Sequence, residues 1–246
     1  MMRRDTVWQN ETLALGFLES VRGGIPYGAD QLRIMLRLLA ANGRPVESFA
    51  DLGCGSGVVA RAVLGHYPKA RGTLVDFSEP MLTAARQQLG EYEKQLTIVS
   101  GDLASPEFWE PAGTGFDAIV SGYAIHHLPD ERKRELYREI YEHLSPGAMF
   151  INIEHVASPT PWGAHNFDEL LIDSVYEFHT RQGTGKSRDQ VAADHVHRPD
   201  KAANLLAPLE TQCAWLREIG YEDVDCFFKV FELAVFGGRR PRPDSP

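Results

Sequence analysis

Three aspartates spaced through the first half of the chain are the residues best suited to holding a ligand. Asp51 opens the run Asp51-Leu52-Gly53-Cys54-Gly55-Ser56-Gly57, Asp76 closes a short apolar stretch, and Asp102 comes directly after Ser100-Gly101. Each falls at or just after the carboxyl end of a strand-like segment, and in an open α/β sheet those ends face a common ligand crevice. Glycines between a strand and a helix let the backbone turn tightly and approach a ligand without Cβ clashes. The dinucleotide fingerprint wants a further glycine at position 58, where this chain has Val58. Three carboxylates would also repel a pyrophosphate. They suit a nucleoside that carries positive charge and a ribose diol.

A second group could move a proton. Tyr123, His126, His127, Glu154 and His155 come after the fourth and fifth strand-like segments, and a base is needed when an attacking group arrives as a hydroxyl. His126 is the first candidate and Glu154 the second. Packing of His126-His127-Leu128 against the next helix is the competing reading. Cys54 reads as a small filler in the glycine loop, with no histidine paired locally to activate it. His165, Asp168, His179, His195 and His197 fall on a polar stretch, where solvation or acceptor contact is expected and no metal site is.

The elements that must position these residues alternate between strand and helix. Strands are expected at 48–52, 72–76, 96–99, 116–121 and 148–153, separated by helices with apolar residues at helical spacing. Ser78 and Asp130 stand where helix caps are expected. Such repeats imply a mostly parallel sheet covered by helices on both faces. Ahead of it, one helix is expected over 6–21 and a second from about Asp30 to Asn42-Gly43. From His155 to about Pro208 the apolar strands lapse, with one helix expected from Asp168 to Phe178. An insertion of this length at a sheet's carboxyl edge suits a lid or a substrate wall. A helix through Cys213, Leu216 and Ile219 then leads to two apolar stretches joined near Lys229, expected to form a closing antiparallel pair. The resulting division is a helical cap over 1–44, a ligand-binding core over 45–154, a helical lid over 155–208, a closing helix and strand pair over 209–238, and a tail over 239–246.

The 246 residues suffice for one large α/β domain. The net charge of −9 does not favour nucleic acid as a partner, which usually needs a positive face. No apolar run approaches the ~20 residues of a membrane span. The three cysteines lie far apart and no apolar signal core stands near the start, so a reducing, cytoplasmic setting is expected.

The motifs Asp51–Gly57, Leu74-Val75-Asp76-Phe77-Ser78-Glu79-Pro80-Met81-Leu82, Gly101-Asp102, Phe116–Ser121 and Ile125-His126-His127-Leu128 resemble a class I methyltransferase that uses S-adenosyl-L-methionine (SAM). The likeness covers about 45–155. SAM's sulfonium, ammonium and ribose diol answer the three acids directly. In this reading Asp51, Gly53 and Gly55 shape the loop, with Asp51 near the methionine ammonium. Asp76 takes the ribose hydroxyls and Asp102 the adenine amino group, while Phe77, Met81 and Leu103 sandwich the ring. The family implies a Rossmann-like, seven-stranded sheet whose last strand runs antiparallel, and it places Ser121 beside the methionine portion. Methyl transfer to a small-molecule acceptor is the implied activity.

The outer parts resemble a narrower subgroup of small-molecule methyltransferases related to carboxy-SAM synthase. That likeness implies contacts from Arg22 and Tyr27 to the SAM carboxylate, and it allows a homodimer. Carboxy-SAM synthases use an arginine in the helix before strand six to read the extra carboxylate. Trp215 stands at the matching place here, with Arg217 beside it, which favours ordinary SAM. A SAM-derivative synthase and a non-catalytic SAM-binding module remain the alternatives.

Overall fold

The computed structural model describes residues 5–18 and 22–243, without the side chains of Leu15 and Arg22. Seven strands form one sheet: β1 Ser48–Leu52, β2 Arg71–Asp76, β3 Leu96–Ser100, β4 Phe116–Gly122, β5 Leu144–His155, β6 Glu222–Val230 and β7 Leu233–Arg239. Their order is β3-β2-β1-β4-β5-β7-β6, parallel except that β7 runs antiparallel between β5 and β6. Strand alternation sorts the core into two layers. Phe49, Ala118, Val120, Met149, Ile151 and Val235 face one layer, with α2 (Gly28–Ala41), α3 (Val58–His66) and α4 (Glu79–Gln88). Ala50, Leu52, Ile119, Phe150 and Phe236 face the other, with α5 (Trp109–Ala112), α6 (Asp130–His143) and α9 (Leu209–Ile219). Burial on both faces explains why these strands read as nearly continuous apolar runs.

The insertion after β5 contains two helices, α7 Pro161–Arg181 and α8 Arg188–His197. α7 is longer than its apolar pattern suggested, because Thr160 accepts the Gly163 N–H at its start and Pro161 occupies the first turn. α8 was not expected from apolar spacing. Its signal is a capping box in which Ser187 and Gln190 satisfy each other's backbone N–H groups. Phe167, Leu171, Ile172 and Val175 of α7 pack with Val191 of α8 and Leu233 of β7.

Several local expectations change. The N-terminal helix breaks at Asn10, whose side chain caps α1 (Glu11–Gly16), leaving a 3-10 turn over Asp5–Gln9. The expected end of that helix, at 19–21, lies outside the described residues. Ser78 takes the N-cap position of α4, as expected, but its side chain makes no capping bond; the hydroxyl donates to the Trp8 carbonyl at 2.6 Å instead. Asp130 lies inside α6 and pairs with Lys133 at 2.7 Å. The closing strands turn at Phe231-Glu232, with Phe231 at φ 48°, just beyond Lys229. Arg239 ends β7 rather than starting a tail, and the Arg240 guanidinium donates to the Glu142 carbonyl at 3.0 Å. Among the described residues, no helix is long and apolar enough to cross a membrane.

Candidate active site

The glycine loop leaves β1 under tight local control. The N–H groups of Gly53 and Cys54 both donate to the Val75 carbonyl, at 2.8 and 3.0 Å. Gly53 has φ +67°, and a Cβ there would stand 2.1 Å from the Ala124 methyl, so this position admits only glycine. Gly55 has φ +51° and donates its N–H to Asp76 at 2.8 Å. The other Asp76 oxygen accepts the Ser78 N–H at 2.9 Å. Burial raises the Asp76 carboxyl above its ordinary range, and the N–H groups of Ser78, Gly55 and Phe77 oppose that rise. Burial, then the nearby Asp76 and Asp51 charges, push the Cys54 thiol well up, so it stays protonated and inert.

These residues border a cavity of about 110 Å³ at the carboxyl edge of the sheet. Gly53, Gly55, Asp76, Phe77, Met81, Asp102 and Leu103 all line it, as expected. Asp51 does not. It lies fully buried on β1 and accepts the Ala60 N–H at 3.0 Å, so it anchors the start of α3 behind the loop. The third acid at the cavity is Asp5, from the N-terminal turn. Ser121 is likewise withdrawn: its hydroxyl donates to the Leu52 carbonyl at 2.7 Å and ties β4 to β1. Tyr27 is left-handed at φ 57°, half exposed, and stacks near Phe228 at 6.0 Å, away from the cavity. The side chain of Arg22 falls outside what the structure describes.

A second cavity of about 330 Å³ adjoins the first, and Trp8, Phe17, Tyr123 and His127 line both. Tyr123 holds a left-handed backbone at φ 57° where β4 ends, a strained conformation for a residue with a side chain. Its hydroxyl donates to Gln31 at 2.7 Å. His127 is spent on structure: one nitrogen lies 3.2 Å from the Ala203 carbonyl, and the other accepts the Trp8 indole N–H at 3.1 Å. Burial, then neighbouring His126, push it down to about 3, so it stays neutral. Neither Trp8 nor Phe17 carries a motif; only their positions in the fold reveal them.

His126 lines the second cavity and is buried at its edge. Its Nδ1 stands 2.6 Å from Glu154 Oε1, and its backbone N–H donates to Oε2 at 3.0 Å. Nε2 has no hydrogen-bond partner among the described residues. Glu154 is fully buried and lines neither cavity. It therefore cannot touch an acceptor, contrary to its ranking as a base; it sits behind His126 instead. Burial pushes Glu154 up to about 7 and His126 well below its ordinary value. His155 also lines this cavity and pairs with Glu232 at 2.7 Å. No group of three or more His, Cys, Asp or Glu among the described residues could hold a metal.

Residues 49–147 match a family model described as a methyltransferase domain. Over those residues the chain carries a methyltransferase domain, on a sheet of the fold that SAM-dependent methyltransferases share. It is an enzyme, and SAM is its cofactor. It is 28% identical over 233 residues to a carboxy-S-adenosyl-L-methionine synthase of Chromohalobacter salexigens, covering 92% of this chain and 80% of the relative. A protein of the same description from Campylobacter fetus is 24% identical, with 92% of each covered. An O-methyltransferase family protein of Burkholderia thailandensis shares the fold, with a TM-score of 0.59 at 15% identity. The match takes in 93% of this chain, which spans only 63% of that longer protein.

The lining of the first cavity fits SAM. Asp5, Asp76 and Asp102 offer negative charge to a sulfonium and an ammonium, and Phe77, Met81 and Leu103 offer apolar surface to a purine. The glycine at 53, barred to any side chain, keeps the loop flat against that space.

Proposed function

We propose that the protein methylates a hydroxyl of a small-molecule acceptor, with His126 as general base and Glu154 as the positioning residue that holds it. The observation that carries this reading is the 2.6 Å contact between His126 Nδ1 and Glu154, made from the wall of a cavity that adjoins the cofactor's.

When bound, SAM supplies a sulfonium methyl that an aligned nucleophile displaces in line. The chain's own contribution is to bind, orient and deprotonate. Asp76 and Asp102 hold the nucleoside, and Phe77, Met81 and Leu103 enclose its ring. Trp8, Phe17 and Tyr123 stand between cofactor and acceptor and exclude water. With its proton on Nδ1 held by ionised Glu154, His126 presents a lone pair at Nε2 to the acceptor hydroxyl. The imidazolium that forms is stabilised by the same carboxylate. The insertion over 155–208 walls the acceptor's room, through Phe167 and Leu171.

The name of the curated relatives supports a second reading, formation of a SAM derivative. Trp215, at the place of their arginine, packs on the core and lines neither cavity, which favours ordinary methyl transfer. Incubation with SAM and a panel of phenols, each with and without a small carboxylic acid able to give up its carboxyl group, followed by mass spectrometry of the nucleoside product, separates the two. S-adenosylhomocysteine formed in an acceptor-dependent way supports methylation. A heavier SAM derivative with no S-adenosylhomocysteine would overturn it.

A further inference from the structure

We propose that the acceptor is an uncharged molecule with an extended apolar body, and that this body fills a third cavity beneath the inserted helices. The placement of its hydroxyl beside His126 rests on the methyl-transfer reading above; the shape and polarity of the ligand rest on the cavities alone.

The third cavity measures about 680 Å³ and lies between the N-terminal segment and the insertion. Its apolar lining comes from Leu13 on α1, from Leu171, Ile172 and Val175 on α7, and from Val191 on α8. It is continuous in lining with the cavity at His126: Phe17, Leu171, His195, Arg198 and Asp200 belong to both. Small-molecule sites are typically ~300–1,000 Å³ and mostly apolar, with a few polar groups that fix orientation. A molecule with its hydroxyl at His126 would have to pass Phe17 and Leu171 to use the larger room, so it must be elongated.

The charged residues argue for neutrality. Arg198 stands within ion-pair range of Asp200 at 3.2 Å, although its buried Nε makes no hydrogen bond, and Lys186 pairs with Asp194 at 2.6 Å. Lys201 stands 3.4 Å from Asp168, which also accepts from His195 at 2.7 Å, and Glu232 is engaged by His155. Each cation facing the two rooms already has an internal carboxylate. The lysine pairs are exposed to solvent, but the Arg198–Asp200 and His155–Glu232 pairs are largely buried, and an acidic acceptor that displaced either carboxylate would leave it alone in the interior, which is strongly penalised. An apolar body needs nothing broken.

The test uses the full chain saturated with S-adenosylhomocysteine and a series of 4-alkylphenols from methyl to octyl, titrated calorimetrically. Affinity should rise by roughly two- to fourfold for each methylene added, the range for partial to full burial of a CH₂, until the room is filled. Val175→Trp and Val191→Phe should each flatten that rise for the longer chains by about tenfold. Their affinity for S-adenosylhomocysteine, whose cavity neither residue lines, reports that the fold is intact. An affinity independent of chain length would overturn the proposal, as would 4-octylbenzoate binding more tightly than 4-octylphenol. Turnover of the same phenols with SAM is read separately. Tighter binding with chain length but no methylated product would leave the apolar room standing and remove the methyl-transfer reading.

Discussion

Around Glu154 four donors converge on two buried oxygens: His126 through ring and backbone, the His155 N–H at 2.8 Å and Asn152 at 3.3 Å. The carboxyl nevertheless sits up at about 7 because it has no solvent. Carboxyl and imidazole titrate as one unit. Above about 7 the pair holds only the Nδ1 proton and Nε2 is a base; below it an extra proton silences Nε2. The kcat/KM should therefore climb with pH through about 7 and then level, and a profile flat from 5 to 9 would exclude His126 as base. Stability has the opposite slope. The folded carboxyl binds its proton more tightly than the unfolded one, so this contribution is full below the ordinary carboxyl value of 4.5 and is lost as pH rises through about 7. His126 and His127, both pushed down, contribute the opposite slope over this window, so Glu154→Gln should remove only the carboxyl's share, read as the difference between variant and parent in denaturant titrations at pH 4.5 and 7.5. His126→Ala should lower turnover of hydroxyl acceptors by about 10²–10⁴-fold while leaving SAM affinity unchanged. Asp76→Asn should weaken SAM binding by about 1–3 kcal/mol, the range for losing hydrogen bonds from the ribose hydroxyls to a charged group; an unaltered dissociation constant would remove Asp76 from the ribose. Asp76, Asp102 and His126 were legible because the chain opens into the crevice where each strand ends. Asp51 and Ser121 line neither the first nor the second cavity, because the one is turned to the start of α3 and the other is bonded to the neighbouring strand.

The glycine loop and the N-terminal turn set the cofactor's space from opposite sides. Gly53→Ala would drive a methyl into Ala124 at a left-handed φ. It should cost more than ~1 kcal/mol of stability and abolish SAM binding, measured by thermal unfolding with and without ligand. The N-terminal turn is held by the Trp8 indole on His127 and the Trp8 carbonyl on Ser78. Trp8→Ala removes the first of these and should speed proteolysis near residues 8–18 and weaken SAM; unchanged cleavage would show that other contacts suffice. At this scale the sequence was readable where periodicity is strong, as in the strands and in α6 with Leu136 and Ile140. It was silent where a single polar side chain decides. Asn10 splits what reads as one helix, and the Ser187–Gln190 box starts α8 on a stretch with little apolar pattern.

For the molecule as a whole, the mostly parallel sheet covered by helices could be foreseen, since alternating strands and helices joined by right-handed crossovers leave few other arrangements. The third dimension of the site could not. Asp5, Trp8 and Phe17 reach the core's carboxyl edge from a segment distant from it in sequence, and no local spacing announces that contact. A ligand that binds only the folded chain should raise its stability by about 2.7 kcal/mol at a hundredfold excess over its dissociation constant. Melting curves with S-adenosylhomocysteine should show that gain, and its absence would count against the cofactor cavity. Phe17 fronts all three cavities at once and stacks edge-on against Trp8 with ring centres 5.1 Å apart. One benzyl group is thus a party wall, and a guest in one room presses on the plaster of the next. Steady-state kinetics should then obey a compulsory sequence, nucleoside first, and trimming that wall with Phe17→Ala should let the two substrates enter in either order.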